Sequence, residues 1–149
     1  MDLSHAAMLL WAALVFWVLG QIWLVQTVIY PLFAKVGAAE YVRYHSFYTR
    51  RIPLVVIVQG FATFLLPIPL AIGGPPVPAW MSAGNIGAGI VGLLVTVLLE
   101  IPRHNLLEGR GKDDQTIAEL IRYNWPRTAS ITAQAFITAL MVRHVFAAE

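Results

Sequence analysis

The sequence predicts an all-α membrane protein, a four-helix transmembrane bundle with both chain termini on the outer side of the membrane (N-out/C-out). Its composition is the first reason. Hydrophobic residues make up 58% of the 149 residues and charged residues 12%, whereas soluble domains average about 45–50% and about 25%. So few charges cannot cover the surface of a soluble domain, and so apolar a chain is not intrinsically disordered.

Four apolar stretches are the second reason, because each is long enough for a membrane span, which needs about 20 residues. The predicted spans are residues about 6–33, about 52–72, about 80–101 and about 125–142. Charged residues occur only near the ends of the last two spans, at Glu100 and Arg127. The whole chain, 1–149, is therefore predicted to be a single transmembrane domain.

The distribution of basic residues is the third reason and predicts the orientation. Nine of the ten lysines and arginines lie in or beside the connections between spans one and two and between spans three and four, and the tenth is Arg143. By the positive-inside rule both basic loops are cytoplasmic. The formal net charge is only +2, so nucleic acid is not an expected partner and the lipid bilayer is.

Each basic loop is predicted to contain a short interfacial helix. Residues 40–52 alternate aromatic and basic side chains, and Tyr44, Phe47 and Tyr48 share one helical face, which is typical of a helix lying on the membrane surface. Residues 113–123 form the second cytoplasmic helix. Its start is predicted at a Thr116–Glu119 capping box or at one of the preceding aspartates.

Polar side chains within the spans concentrate in the half nearest the basic loops. At about 1.5 Å per residue, Gln59 lies about 10 Å and Gln134 about 13 Å from the cytoplasmic helix ends. Glu100 and Arg127 lie at the same side, where a carboxylate and a guanidinium can pair. One interpretation is a polar pocket open to the cytoplasm or the inner leaflet. The other is interhelical packing closed by a structural salt bridge.

Two histidines lie in the basic loops, at His45 and His104. His104 follows Glu100 by four residues, so the two share a helical face if the helix continues past Pro102. A histidine titrates near neutrality, and a carboxylate can orient it, which favours a general acid–base role. Glu100, His104 and Arg127 are the predicted catalytic residues, and His45, Gln59 and Gln134 are predicted to bind substrate. No metal site is predicted, and the identity of any cofactor is left open.

Small residues recur at four-residue intervals in the third span, at Gly84, Ala88 and Gly92. Such a face permits close helix packing. It is expected to pack either within the bundle or against another protomer.

Several short motifs resemble a known family. They are Ile29-Tyr30-Pro31-Leu32-Phe33, Tyr44-His45-x-x-Tyr48-x-Arg50-Arg51-Ile52, Pro102-x-His104-Asn105-x-Leu107 and Asn124-Trp125-x-Arg127-Thr128. Together they resemble small bacterial four-span membrane proteins of unknown function, which are distantly similar to the anthrone oxygenase-like family. The resemblance implies a bacterial inner-membrane location and a site for a lipophilic aromatic molecule. It also implies that Asn105, Asn124 and Trp125 take part in binding.

Three functions are therefore expected, in decreasing order. The first is a pocket that binds or oxidises a lipophilic aromatic or quinone-like molecule. The second is a non-catalytic accessory or structural subunit of a larger membrane complex, or a homo-oligomer. The third is a transporter, which the absence of paired mid-membrane ion sites disfavours.

Overall fold

The computed structural model describes residues 3–147, and these form helices joined by short connections without a β-strand. In chain order the helices are α1 (Leu3–Lys35), α2 (Ala38–Leu65), α3 (Pro67–Gly73), α4 (Ala79–Arg110) and α5 (Asp114–Phe146). The helices α1, α4 and α5 are long and apolar enough to cross a membrane. A fourth candidate span exists if α2 and α3, which meet at a 42° bend, count as one. The predicted all-α class and the apolar spans are confirmed.

The bundle has two chemically different ends. At the terminal end, the His5 ring packs against Phe146 with 5.3 Å between ring centroids, which joins the beginning of α1 to the end of α5. At the opposite end, Lys112 donates hydrogen bonds from Nζ to the carbonyl oxygens of Ala34 and Val36, at 3.0 and 2.9 Å. We call this second end, where α1 and α4 finish and α2 and α5 begin, the basic end.

The predicted interfacial helices are present as helical segments, but neither is a separate element. Residues Ala38–Ile52 continue without a break into the rest of α2, and the helix that starts at Asp114 runs for 33 residues. The third span likewise extends beyond residue 101 to Arg110. Pro126 lies inside α5. Membrane helices tolerate an internal proline where side chains satisfy nearby backbone groups, and Gln26 donates from Nε2 to the Ile121 carbonyl at 3.0 Å.

The start of α5 is fixed by Asp113, one of the three capping residues that the sequence allowed. Its carboxylate accepts a hydrogen bond from the Thr116 backbone amide at 3.2 Å and another from the Thr116 hydroxyl. The first turn of a helix has unpaired amide groups, and an aspartate at this position satisfies one of them. The same Thr116 hydrogen bonds hold the pKa of Asp113 below its usual value.

Three turns of π-helix interrupt the long helices, at Val25–Ile29 in α1, Pro53–Ile57 in α2 and Thr96–Glu100 in α4. In α1 and α4 a proline follows two residues after the turn, at Pro31 and Pro102. Proline has no N–H and crowds the carbonyl four residues earlier, and in both helices that carbonyl lies inside the widened turn. The sequence therefore gives a physical cause for these two π turns, which are features often found at functional sites.

The small-residue face of α4 packs within the chain. A Cβ atom built on Gly89 would lie 2.7 Å from the backbone oxygen of Phe64, and one on Gly92 would lie 2.4 Å from the Phe64 ring. On the α5 side, a Cβ on Gly84 would meet the Ile137 side chain at 2.7 Å. Of the two expected uses of this face, the structure shows packing of α4 against α2 and α5.

Candidate functional site

Arg127 is the centre of the polar cluster and joins three helices. Its guanidinium donates from Nε to Asn124 Oδ1 at 2.8 Å, from Nη1 to Thr96 Oγ1 at 3.3 Å and from Nη2 to the Tyr30 hydroxyl at 3.3 Å. The residue is 5% exposed. A buried guanidinium is costly unless its donors are satisfied, and here neutral oxygens from α1, α4 and α5 provide three acceptors. Arg127 is thus held in place from several directions.

Glu100 is the second charged residue of the cluster. It is 1% exposed, and neither carboxylate oxygen has a hydrogen-bond partner among the described residues. The predicted pairing of Glu100 with Arg127 is therefore not a direct hydrogen-bonded salt bridge. A buried ionisable group at membrane depth without a hydrogen-bond partner is a candidate functional residue.

A hydrogen-bond network connects Asn124, the partner of Arg127, to Gln26 of α1. Asn124 donates from Nδ2 to Gln26 Oε1 at 2.8 Å, and Thr128 Oγ1 lies 3.3 Å from the same oxygen. Gln26 belongs to the π turn of α1. This network attaches the α5 segment that carries Arg127 to α1, so it restricts the position of the guanidinium.

Two histidines form a continuous hydrogen-bonded row that starts at the basic end. Glu108 Oε2 lies 2.8 Å from His45 Nδ1, His45 Nε2 lies 3.1 Å from His104 Nδ1, and His104 Nε2 lies 3.2 Å from the Tyr30 hydroxyl. We call Glu108, His45, His104 and Tyr30 the histidine row. The Glu108 side chain is 42% exposed, whereas His45 is fully buried. The row therefore leads from an exposed carboxylate to the Arg127 cluster.

Aromatic side chains enclose the histidine row. Tyr41 stacks on the His45 ring at 5.7 Å between centroids, and Tyr48 stacks on His104 at 5.8 Å. Phe33 makes edge contacts with both imidazoles. These α2 aromatics were expected to face the membrane surface. Instead Tyr41 and Tyr48 face the inside of the bundle, because α2 is continuous with a span and packs against α1 and α4.

Two small cavities adjoin each other beside Arg127. The first, of about 30 Å³, is polar on one side, where Tyr30, Tyr48, Glu100 and His104 line it. The second, of about 20 Å³, is mostly apolar. Its apolar walls are Val18, Ile22, Phe61, Phe64 and Ile131. Four residues line both cavities, namely Val56, Ile57, Thr96 and Arg127. Each cavity has room for a water-sized molecule as it stands.

Five of the predicted site residues come together in this region. Glu100, His104 and Arg127 line the polar cavity. His45 belongs to the histidine row, and Asn124 is the hydrogen-bond partner of Arg127. The helix does continue past Pro102, which was the condition for placing Glu100 and His104 on one face, and it brings His104 to the side of Glu100.

The structure places the other four predicted site residues elsewhere. Asn105 and Trp125 are exposed, since each follows a site residue by one position and so points about 100° away around its helix. Gln59 donates to the Leu54 carbonyl of its own helix at 3.2 Å. Gln134 donates to the carbonyls of Thr63 and Asn85, at 2.9 and 3.2 Å, and packs the helices together about 10 Å from Arg127 along α5.

Sequence reasoning missed two residues of the site as functional groups. Tyr30 appeared only within a motif, and Glu108 was not singled out. The spacing of Glu100, His104 and Glu108 contained a signal, because residues four apart lie on the same side of a helix. Once the helix is known to continue past Pro102, all three belong to one side of α4.

Among residues 3–147, no group of three or more His, Cys, Asp or Glu side chains is placed to hold a metal ion. Comparisons with protein-family models, with curated proteins and with solved structures found no match.

Proposed function

We propose that the chain is a four-span protein of the bacterial inner membrane, with α2 and α3 forming one bent span, both termini outside and the basic end in the cytoplasm. The positive-inside rule supports this orientation. Lys35, Arg110 and Lys112 lie at the basic end together with the Glu108 carboxylate. The cluster around Arg127 then lies in the cytoplasmic half of the bundle.

We infer that this cluster binds the polar oxygen of a lipophilic aromatic or quinone-like molecule. The observation that carries the proposal is the pair of adjoining cavities that share Arg127 in their walls, one lined mainly by apolar residues and the other also by tyrosine, histidine and glutamate side chains. An aromatic ring fits the chemistry of the apolar walls, such as Ile22 and Phe61. A carbonyl or phenolic oxygen fits the chemistry of Arg127 and Glu100 in the polar cavity. Ligand pockets commonly combine apolar walls with a few placed polar groups.

Binding of a ring requires the wall shared by the cavities to move, because each holds only a water-sized molecule. Val56 and Ile57 form part of that wall and belong to the π turn of α2. The neighbouring Leu54 and Val58 are exposed at 78% and 62%, which places this turn at the lipid-facing side of the bundle. A lipophilic molecule is therefore proposed to enter from the membrane past the α2 turn.

The chemical role that the site supports is proton acceptance by Glu100. A carboxylate without hydrogen-bond donors is a stronger base than one that is stabilised by them. Placed near a phenolic O–H or an activated C–H, it can take the proton as a general base. Arg127 can stabilise the oxygen anion that results.

Native mass spectrometry of the detergent-purified protein tests the proposal, with anthrone and decylubiquinone as probes. We expect an adduct with at least one probe, and binding weakened about tenfold or more, or about 1.4 kcal/mol, by Glu100→Gln. Glu100→Gln keeps the side-chain shape and breaks no hydrogen bond. Asn105→Ala, an exposed position next to His104, is the control and should bind normally. Absence of any adduct, or equal binding by Glu100→Gln, would contradict the proposed ligand.

Association with another membrane protein is the second candidate, and one surface favours it. Trp23 and Trp125 form an edge-to-face pair at 5.9 Å, and both are nearly half exposed beside Phe136. Exposed aromatic clusters are common at interfaces. Photo-crosslinking from position 136 in membranes should then give one defined product. Labelling of lipid alone would leave this surface as a lipid-facing one and would argue against a partner.

A further inference from the structure

The histidine row connects an exposed carboxylate to a buried one. Glu108 lies at the outer end of the row, and Glu100 lies in the polar cavity at the inner end. The three consecutive separations, at 2.8, 3.1 and 3.2 Å, are within hydrogen-bond distance. The imidazoles are packed between aromatic rings, so the row is a single file and not an open polar channel.

The direction of the hydrogen bonds in the row follows from its two ends. Glu108 accepts from the hydroxyl groups of Ser46 and Thr49, as expected for an ionised carboxylate, so His45 donates to it from Nδ1. A neutral imidazole has one donor and one acceptor nitrogen. His45 Nε2 therefore accepts from His104 Nδ1, and His104 Nε2 accepts from the Tyr30 hydroxyl.

The inner end agrees with this assignment, which is inferred from the network. Arg127 can only donate, and its Nη2 donates to the Tyr30 oxygen. The Tyr30 hydroxyl thus accepts from Arg127 and remains free to donate to His104. With both imidazoles neutral, every donor in the row points toward Glu108.

The last step joins Tyr30 to Glu100 across the polar cavity, which both residues line. A cavity of about 30 Å³ with several polar groups can hold a bridging water molecule. The other charged or titratable groups that face Glu100 are Arg127, Arg103 and Tyr48. Arg127 and Arg103 remain protonated, so the proton leaves through Tyr30, whose hydroxyl lies 3.2 Å from His104 Nε2.

We propose that the histidine row is a proton path between Glu100 and the surface at the basic end. Because every donor in the resting row points toward Glu108, the first proton moves from Glu100 toward Glu108. Glu108 takes the Nδ1 proton of His45. His45 Nε2 takes the Nδ1 proton of His104, and His104 Nε2 takes the Tyr30 proton. Tyr30 regains a proton from protonated Glu100 through the water. One proton thus leaves Glu100 and one arrives on Glu108, with no oxidant or other reactant needed.

The path gives the proposed site a way to release the proton that Glu100 accepts, so it indicates a ligand that loses a proton in the site. The proton path depends on the proposed topology only in that the topology makes its surface end cytoplasmic. The path requires no bound ligand. Each proton transfer toward Glu108 reverses the direction of the hydrogen bonds in the row, and a transfer toward Glu100 restores it. The path therefore exchanges single protons and does not conduct a continuous current.

Time-resolved infrared spectroscopy tests the path in phosphatidylcholine nanodiscs without a probe molecule. A rapid rise in pH should decrease the C=O stretching band of protonated Glu100, a band that Glu100→Gln must remove. Tyr30→Phe and His104→Gln should slow this decay on the order of a hundredfold. Glutamine keeps a donor and an acceptor at position 104 but cannot pass a proton. Tyr44→Phe removes the hydroxyl of another α2 tyrosine, which contacts Phe33 but lines neither cavity, and its Glu100 band should decay at the wild-type rate.

The outcomes separate this proposal from the proposed function. Equal decay rates in all variants, or a band unaffected by Glu100→Gln, would overturn the proton path. If Tyr30→Phe fails to fold, the comparison of His104→Gln with Tyr44→Phe decides alone. If no anthrone or quinone adduct forms, but the Glu100 band decays in each variant as the proton path predicts, only the proposed ligand is contradicted.

Discussion

The packing of α4 against α2 leads to a prediction whose size can be worked from the structure. Gly89 of α4 faces the Phe64 backbone of α2. A Cβ atom there would lie 2.7 Å from the Phe64 oxygen, 3.2 Å from its Cα and 3.3 Å from its carbonyl carbon. These are backbone atoms, so a rotamer change cannot relieve the contact. Gly89→Ala must therefore move one helix relative to the other.

The matched control lies two residues away on the same helix. A Cβ atom on Gly87 has nothing within 4 Å. Gly87→Ala should raise the free energy of unfolding by up to about 1 kcal/mol, because alanine favours a helix more than glycine does. Gly89→Ala has the same propensity gain but carries an overpacking cost of about 1–3 kcal/mol.

We therefore expect Gly89→Ala to be less stable than Gly87→Ala by about 1–3 kcal/mol. Thermal unfolding in detergent, followed by the fraction that remains soluble, measures the order of stability, and reversible unfolding in mixed micelles measures its size. Equal stabilities of the two variants would refute the close approach of α4 to α2. A larger loss for Gly87→Ala would place a different face of α4 in the bundle.

Two further predictions concern local hydrogen bonds. Asp113→Ala should lower the melting temperature at neutral pH, whereas Asp113→Asn should retain the cap. Thr116 holds the pKa of Asp113 below its usual value, so the carboxylate's contribution to the free energy of unfolding is present above about pH 4 and is lost as the pH falls further. In melting curves across pH, acid should therefore destabilise the wild type more than Asp113→Asn. Trp11→Phe removes the 3.1 Å bond from Nε1 to Thr138 Oγ1 and should cost about 1 kcal/mol or less beyond the packing change, whereas Trp17→Phe at an exposed position should unfold like the wild type.

The parts of the fold that could be predicted were those that depend on composition and on long periodic stretches. The apolar spans and the concentration of basic residues at one end require only counting along the chain. The placement of Glu100 and His104 on the same side of α4 also followed from their spacing, on the condition that the helix continued past Pro102. That condition could not be decided from the sequence, since a proline ends some helices and is accommodated in others.

The parts that could not be predicted depend on which helix covers a given face. An aromatic face on residues 40–52 can pack against lipid headgroups or against other helices, and its periodicity is the same in both cases. The structure shows that Tyr41 and Tyr48 cover the imidazoles while Phe47 is 62% exposed. His45 was predicted as a site residue, but its hydrogen-bond partners were not, because Glu108 and His104 come from a helix about 60 residues away.

The π turn of α4 explains how one helix supplies polar groups to a single narrow site. In a regular α-helix each four-residue step advances about 40° around the axis. Thr96, Glu100, His104 and Glu108 would then spread over about 120° and would not all face the same neighbours. The π turn at Thr96–Glu100 contains an extra residue per turn, which sets part of this rotation back before His104.

The same turn therefore keeps Thr96 on Arg127 while His104 still reaches Tyr30 and His45. Pro102 is the local cause, because it removes the backbone donor that a regular helix needs at that point. In α1, Pro31 follows its π turn at the same distance, and Tyr30 lies directly before it. Two prolines at equivalent places in α1 and α4 thus align the inner end of the histidine row with the Arg127 cluster, so the site depends on these interruptions of the helices as well as on its polar residues.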